Sequence, residues 1–299
     1  MRRKPPNKSG QKRRFSKRAE QTELPPEEPR KRGGRGKPTG PKPKVPGGLT
    51  ENQVLLYGLH TVRAALANKQ RKCLRLFASQ GALSRLEDGL VAKSGVEVEL
   101  VEAPDLTPFV PADAVHQGAV LLCERLNVLD ASELFHLADK KLVLALDQIT
   151  DPHNVGAILR SAVAMGVAAV LVTSRNSAVE TPVLAKSASG ALDMIPLVEL
   201  RNLSKGLQEL ADMGFTVAGL DSEGDEPLET ALTAIHPTTQ KTAERICLVL
   251  GSEGKGLREK TRETCTVLAR LDMPGEIKSL NVSNAAALSL YIANRQLTG

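Results

Sequence analysis

The chain has 299 residues, 41% of them hydrophobic, and a formal net charge of +6, enough material for two ordinary domains with buried cores. No uninterrupted apolar run approaches the roughly 18 residues of a membrane span, and the start MRRKPPNKSG lacks the apolar segment of a secretory signal, so a cytoplasmic protein with no membrane partner is expected. Cys73, Cys123, Cys247 and Cys265 are scattered, with no CxxC or Cys/His pair at ligand spacing, so they read as reduced core residues and no metal site is expected.

Residues 1–50 hold 16 of the 40 Lys and Arg residues but 4 of the 34 Asp and Glu residues, a net of +12 that leaves the remainder at −6. The same stretch has half the prolines and one aromatic, Phe15, so it cannot bury enough apolar surface to offset the entropy of ordering and reads as a disordered basic tail. Such an arm neutralises phosphates without reading sequence, which fits an RNA partner; a solubilising tail is the plainer reading.

From Glu51 the pattern becomes periodic. Tyr57-Gly58-Leu59-His60 leads into an amphipathic helix with Val62, Ala65 and Leu66; Leu74–Phe77 reads as a strand, a helix follows near Leu83–Val91, Val96–Leu100 alternates as a half-buried strand, and Gly118–Leu122 is a buried one. This predicts a small α/β unit over 51–125. Residues 126–140 form a linker with a short helix over Ser132–Leu137. A second series, 141–299, has strands at Leu142–Leu146, Ala169–Thr173, Ile195–Val198, Thr216–Leu220 and Ile246–Leu250 with helical stretches between them, which implies a mostly parallel sheet covered on both faces. Residues 237–245 read as an exposed loop. The fold class is therefore α/β, with ligands expected at the carboxyl ends of the strands.

Three segments fall at such strand ends. DPHNVGAILRSA leaves the first strand of the second series through a Pro-containing turn into a helix carrying Arg160 in its second turn. LVLGSEGKGL runs from a buried strand into a glycine-rich turn whose GxxGxG spacing matches neither a phosphate loop nor a dinucleotide fingerprint. MPGEIKSLNVSNAAALSLY crowds Ser279, Asn281, Ser283 and Asn284 at the mouth of an apolar helix.

In this order and spacing the three segments resemble the motifs of the SpoU/TrmH family of RNA ribose 2′-O-methyltransferases. The preceding unit, with YGLHTVRAAL and His116-Gln117-Gly118, is similar to the L30e-like substrate-binding domain fused to ribosomal RNA guanosine methyltransferases of that family. The resemblance covers about residues 52–296. It implies a SPOUT domain with a C-terminal trefoil knot that holds S-adenosylmethionine, although general topology rules argue against knots. It also implies a homodimer that builds each site at its interface. The substrate it favours is a guanosine in large-subunit (23S) ribosomal RNA, with transfer RNA as the alternative; a silent ribosome-assembly factor is a rival of another class.

By the same resemblance Asn154, Arg160, Glu253, Ser279 and Asn281 are the catalytic candidates, and Gly251, Leu271 and Leu280 the cofactor-binding ones. A guanidinium releases its proton too reluctantly to serve as a literal base, so Arg160 is read as a phosphate anchor and charge stabiliser, oriented by Asn154 and Glu253. Singly, each residue has a plainer reading: Asn154 as the N-cap of a helix beginning at Val155, Glu253 as a cap of the next helix, Ser279 and Asn281 as loop hydrogen-bonders. Asp272 stands where many relatives have proline, which puts the pocket rim near Leu271 in question. His60 and His153 remain unassigned. With no Trp, two Tyr and five Phe, no platform for stacking successive bases is evident, so RNA shape and phosphates are expected to carry recognition.

Overall fold

The computed structural model describes residues 48–174, 180–233 and 243–299. The basic tail expected over 1–50 lies almost wholly outside the described residues, as does most of the loop expected over 237–245.

The first unit contains β1 (Gln53–Tyr57), α1 (Leu59–Ala67), β2 (Cys73–Ala78), α2 (Gln80–Leu83), α3 (Asp88–Ser94), β3 (Glu97–Leu100) and β4 (Ala119–Glu124). They form a sheet in the order β1-β4-β2-β3, with β4 antiparallel to both β1 and β2, and β3 parallel to β2. The apolar run of β4 places it in the sheet interior, where both faces are covered. Phe77 and Phe109 stack on one face with ring centroids 5.1 Å apart. Three details differ from the sequence expectation. β1 forms a strand where none was read. The single helix expected near 83–91 is two pieces, because the chain turns at Ser84–Glu87 to bury Leu86. β3 is an exposed edge strand rather than a half-buried one, with Leu100 59% exposed.

After a 3₁₀ stretch over Ala131–Leu137 come β5 (Leu142–Asp147), α4 (Pro152–Ala164), β6 (Val170–Thr173), α5 (Pro182–Ala188), β7 (Leu197–Leu200), α6 (Leu203–Asp212), β8 (Thr216–Leu220), β9 (Glu226–Pro227), α7 (Leu228–Thr233), β10 (Ile246–Gly251), α8 (Glu259–Thr264), β11 (Val267–Arg270) and α9 (Val282–Thr298). The sheet runs β7-β6-β5-β10-β8-β11-β9, and every pairing in it is parallel. Alternate residues of β5 serve opposite faces: Leu142, Leu144 and Leu146 join the core under α4, α5, α7 and α9, while Val143 and Ala145 join the core under α6. The strand expected at 195–198 lies at 197–200, because Ile195 still donates to Ala191 in the preceding turn and Pro196 has no N–H for a ladder.

A buried charge cluster joins the two sheets. The Arg71 guanidinium, fully buried between α1 and β2, donates to Asp193 Oδ1 at 2.8 Å and Oδ2 at 3.1 Å, and to Glu180 Oε1 at 2.7 Å. Asn68 donates to Asp193, and Glu180 Oε2 accepts from Leu126 N. The close carboxylates raise the guanidinium pKa despite a desolvation that opposes its charge.

Candidate active site

The site is assembled from the carboxyl ends of β5, β10 and β11. β5 ends on Asp147, whose fully buried carboxylate accepts from Arg258 N at 3.1 Å and Arg258 Nε at 2.7 Å. This bridge fastens the chain just beyond the glycine-rich turn to the end of β5. It escaped the sequence reading, because a lone Asp and a lone Arg 111 residues apart carry no spacing signal.

Beyond β5 the chain turns into α4. Asp151, not Asn154, is the N-cap: its carboxylate accepts from His153 N at 3.3 Å and Asn154 N at 3.2 Å. The helix therefore starts at Pro152, which suits the first turn because it lacks an N–H to leave unpaired. Two expectations are corrected by this. Asn154 lies inside the first turn with its side chain free for other bonds, and Arg160 falls in the third turn rather than the second.

β10 ends at Gly251, and the next residues close on themselves through Ser252 N to Gly256 O at 3.1 Å and Gly256 N to Ser252 O at 2.9 Å. A Cβ on Gly251 would lie 2.2 Å from the Gly256 carbonyl carbon, so only glycine permits this turn. Glu253 sits at its tip. After β11, residues 271–281 return the chain to α9, capped by Asn281 Oδ1 accepting from Ser283 N at 2.9 Å. Within that loop Lys278 Nζ donates to Met273 O at 2.7 Å, bracing it.

Asn154, Glu253 and Asn281 meet in one hydrogen-bonded triangle. Asn154 Nδ2 donates to Glu253 Oε1 at 3.0 Å, Asn281 Nδ2 donates to the same oxygen at 2.8 Å, and Asn281 Nδ2 also lies 3.0 Å from Asn154 Oδ1. Val282 N adds a longer contact to Glu253 Oε1 at 3.4 Å. Glu253 Oε1 is thus saturated, while Oε2 takes no hydrogen bond among the described residues. Asn281 serves in both of its readings at once, capping α9 through its oxygen and holding Glu253 through its nitrogen.

Beside the triangle opens a cavity of about 300 Å³. Gly251, Leu271 and Leu280 line it, as do Glu253 and Ser279. Leu220, Leu250 and Val282 add apolar wall, and Asp221, one of the lining residues, is paired with Arg262. Leu220 and Asp221 were not read from the sequence, since the approach of the β8 end to the site depends on strand order. Asp272 is not part of the wall: it is 62% exposed at its side chain and accepts from Arg270 Nε at 2.9 Å, so Leu271 and Met273 on either side keep their places in the pocket. Ser279 makes no hydrogen bond among the described residues.

Arg160 does not join this group. It is exposed on α4 and its side chain has no hydrogen-bond or ion-pair partner among the described residues. Six residues of helix also turn it about 120° away from the face that carries Asn154.

A family model described as SpoU rRNA Methylase family matches residues 141–291, and one described as RNA 2′-O ribose methyltransferase substrate binding matches residues 55–129. The chain is similar to the 23S rRNA (guanosine-2′-O-)-methyltransferase RlmB of Pseudomonas putida, with 36% identity over 248 residues that span 81% of this chain and 96% of that protein. It is 37% identical over 248 residues to the protein of the same name from Coxiella burnetii, spanning 81% and 95%. In fold it is similar to the SpoU methyltransferase AviRb from Streptomyces viridochromogenes in complex with the cofactor AdoMet, with a TM-score of 0.67 and 23% identity, covering 83% of this chain and 92% of that one.

Proposed function

The chain belongs to the SpoU rRNA methylase family, and from that membership we propose that it transfers a methyl group from S-adenosylmethionine to the ribose 2′-hydroxyl of a guanosine in 23S ribosomal RNA. The observation that carries the reading is the juxtaposition of the Asn154–Glu253–Asn281 triangle with the cavity at the strand ends.

The cavity suits the cofactor. Leucine and valine walls accept a purine ring, and the adjoining glycine turn brings main chain close. We assign Gly251, Leu271 and Leu280 to the adenosine portion. When bound, S-adenosylmethionine supplies a methyl group on a positively charged sulfur. What the protein adds is alignment of the ribose oxygen with that methyl and stabilisation of the charge that develops there. Glu253 is oriented for this by Asn154 and Asn281, which fix one oxygen and leave the other to a substrate or arginine donor. Ser279, unbonded at the rim, is available to the substrate. Arg160 anchors phosphate and stabilises the reacting ribose, a role that suits a planar guanidinium fork.

A site that needs Arg160 and the triangle together is incomplete in one copy, which supports a homodimer. α9 packs on α4 and leaves Leu288 50% and Tyr291 56% exposed, an apolar surface for the second copy. We further read the end of the second unit as a trefoil knot. β10 lies between β5 and β8, β11 lies beyond β8, and the loop after β11 returns across the glycine turn to place α9 against α4. The small unit is read as the L30e-like RNA-binding domain over 51–125, with a linker over 126–140 and the methylase unit over 141–299. Among the described residues no helix is long and apolar enough to cross a membrane, and a cytoplasmic site of action fits a ribosomal substrate.

The test is methyl transfer by the purified protein from radiolabelled S-adenosylmethionine to a 23S ribosomal RNA transcript. Incorporation at a single ribose, lost in Glu253→Ala, is expected. A wild-type protein that labels no ribosomal RNA overturns the reading.

A further inference from the structure

α5 lies against β1 and α1 of the small unit on one side and against α4 on the other. Lys186, in the last turn of α5, reaches across this junction. Its Nζ is 5.8 Å from the centroid of the Tyr57 ring and 3.5 Å from Gln117 Oε1. Gln117 is itself held in place: its backbone is left-handed, with φ of 56°, and its Oε1 accepts from Leu59 N at 3.1 Å. Gly58 keeps the space open, since its φ is 88° and a Cβ there would lie 2.3 Å from Lys186 Nζ. Lys186 has no carboxylate within ion-pair distance among the described residues, and partial burial pushes its ammonium pKa down. A half-buried cation held by one weak amide contact and an aromatic face lacks the counter-charge that usually accompanies burial.

The next residue carries the line toward the catalytic triangle. Ser187 Oγ lies 3.2 Å from His153 Nδ1, and His153 directly precedes Asn154. Close packing of α4 on α5 produces this contact, because a side chain on Gly156 would collide with Ser187 Cβ at 2.5 Å. The Ser187–His153 contact thus ties α5, which carries Lys186, to the helix turn that presents Asn154 to Glu253.

Resting on the ribosomal RNA reading above, we propose that Lys186, framed by Tyr57, Gly58 and Gln117, binds a backbone phosphate of the RNA substrate next to the target nucleotide, so that the strand runs along Ser187 and His153 into the active site. A phosphodiester supplies the missing negative charge. A contact of this kind positions the strand without reading its bases.

The experiment compares full-length wild type, Lys186→Met, which keeps the apolar stem over Tyr57, and Lys186→Arg, which keeps the charge. Dissociation constants for a 23S ribosomal RNA transcript are measured across a salt series, beside S-adenosylmethionine affinity and Tm. The proposal predicts for Lys186→Met roughly five- to tenfold weaker RNA binding at 0.1 M salt and a log–log salt slope reduced by about one, with cofactor affinity unchanged and Lys186→Arg close to wild type. An unchanged salt slope in Lys186→Met overturns it, whether Tm falls or not, because a packing role alone releases no counterions. If Lys186→Met alters RNA binding as predicted, the site stands. A wild type that neither binds nor methylates ribosomal RNA overturns the methyltransferase reading and the phosphate site with it, whereas an active wild type with an indistinguishable Lys186→Met removes the phosphate site alone.

Discussion

The side-chain amide of Asn154 donates to Glu253 Oε1 at 3.0 Å, joining the first turn of α4 to the tip of a turn 99 residues later. With Asn281 on the same oxygen, the glutamate is oriented before any substrate arrives, which is the condition for electrostatic work at low reorganisation cost. Glu253→Ala is expected to lower single-turnover methyl transfer by roughly 10³-fold, and Asn154→Ala by about 10²-fold, with S-adenosylmethionine affinity within about threefold of wild type. Rapid-quench kinetics beside equilibrium cofactor binding separate the two effects. Equal losses in binding and rate would make the triangle a structural brace.

Gly251 tests the cavity rather than the chemistry. Gly251→Ala places a methyl against the Gly256 carbonyl, where backbone must move, at an expected cost of about 1–3 kcal/mol. Isothermal titration should show cofactor affinity at least tenfold weaker. Retained affinity would mean that the turn does not shape the cofactor site.

Arg160 and Glu253 are predicted to act from different copies of the chain. Arg160→Ala and Glu253→Ala should each be inactive alone. Mixed and refolded together, they should recover about a quarter of wild-type activity, because random pairing makes half the dimers mixed and each of those has one intact site. No recovery would place both residues in the same copy's site.

The buried junction sets a stability prediction. Asp193→Ala removes the bidentate partner of the buried Arg71 guanidinium and leaves it only Glu180 as a counter-charge, and loss of about 3–5 kcal/mol in urea unfolding is expected. A change below about 1 kcal/mol would show that water reaches the cluster.

The thiols give a prediction in pH. Burial pushes the Cys73 thiol up to about 11 from an ordinary value of 9.0. At pH 8 the folded chain should therefore alkylate at Cys73 about 100-fold more slowly than the unfolded chain. Above pH 9 the unfolded thiol ionises first, so stability should fall between pH 9 and 11 and be fully retained below 9. Rapid native labelling at Cys73 would contradict the burial.

The strand series was legible because β5, β6, β8 and β10 are apolar runs of ordinary length bounded by turn residues. The edge character of β3 was not, because alternation in Val96–Leu100 is the same whether or not another layer covers it. At the site, Asn154, Glu253 and Asn281 could be selected from motif spacing, but their mutual bonds depend on the order in which β5, β10 and β8 sit in the sheet. The cap showed the limit most plainly. Asp151 and Asn154 are both good N-cap residues, and only the start of the helix at Pro152 decides that Asp151 takes the role and frees Asn154 for Glu253. Arg71–Asp193 and Asp147–Arg258 pair across more than 100 residues, where no local pattern points from one partner to the other.

The most direct measurement is 2′-O-methyl mapping of ribosomal and transfer RNA from cells lacking this gene, complemented with wild type or with Glu253→Ala. Loss of one ribose methylation at a guanosine of 23S ribosomal RNA, restored by wild type and not by Glu253→Ala, is expected. An unchanged 23S map, or a lost mark restored equally by both proteins, would contradict it.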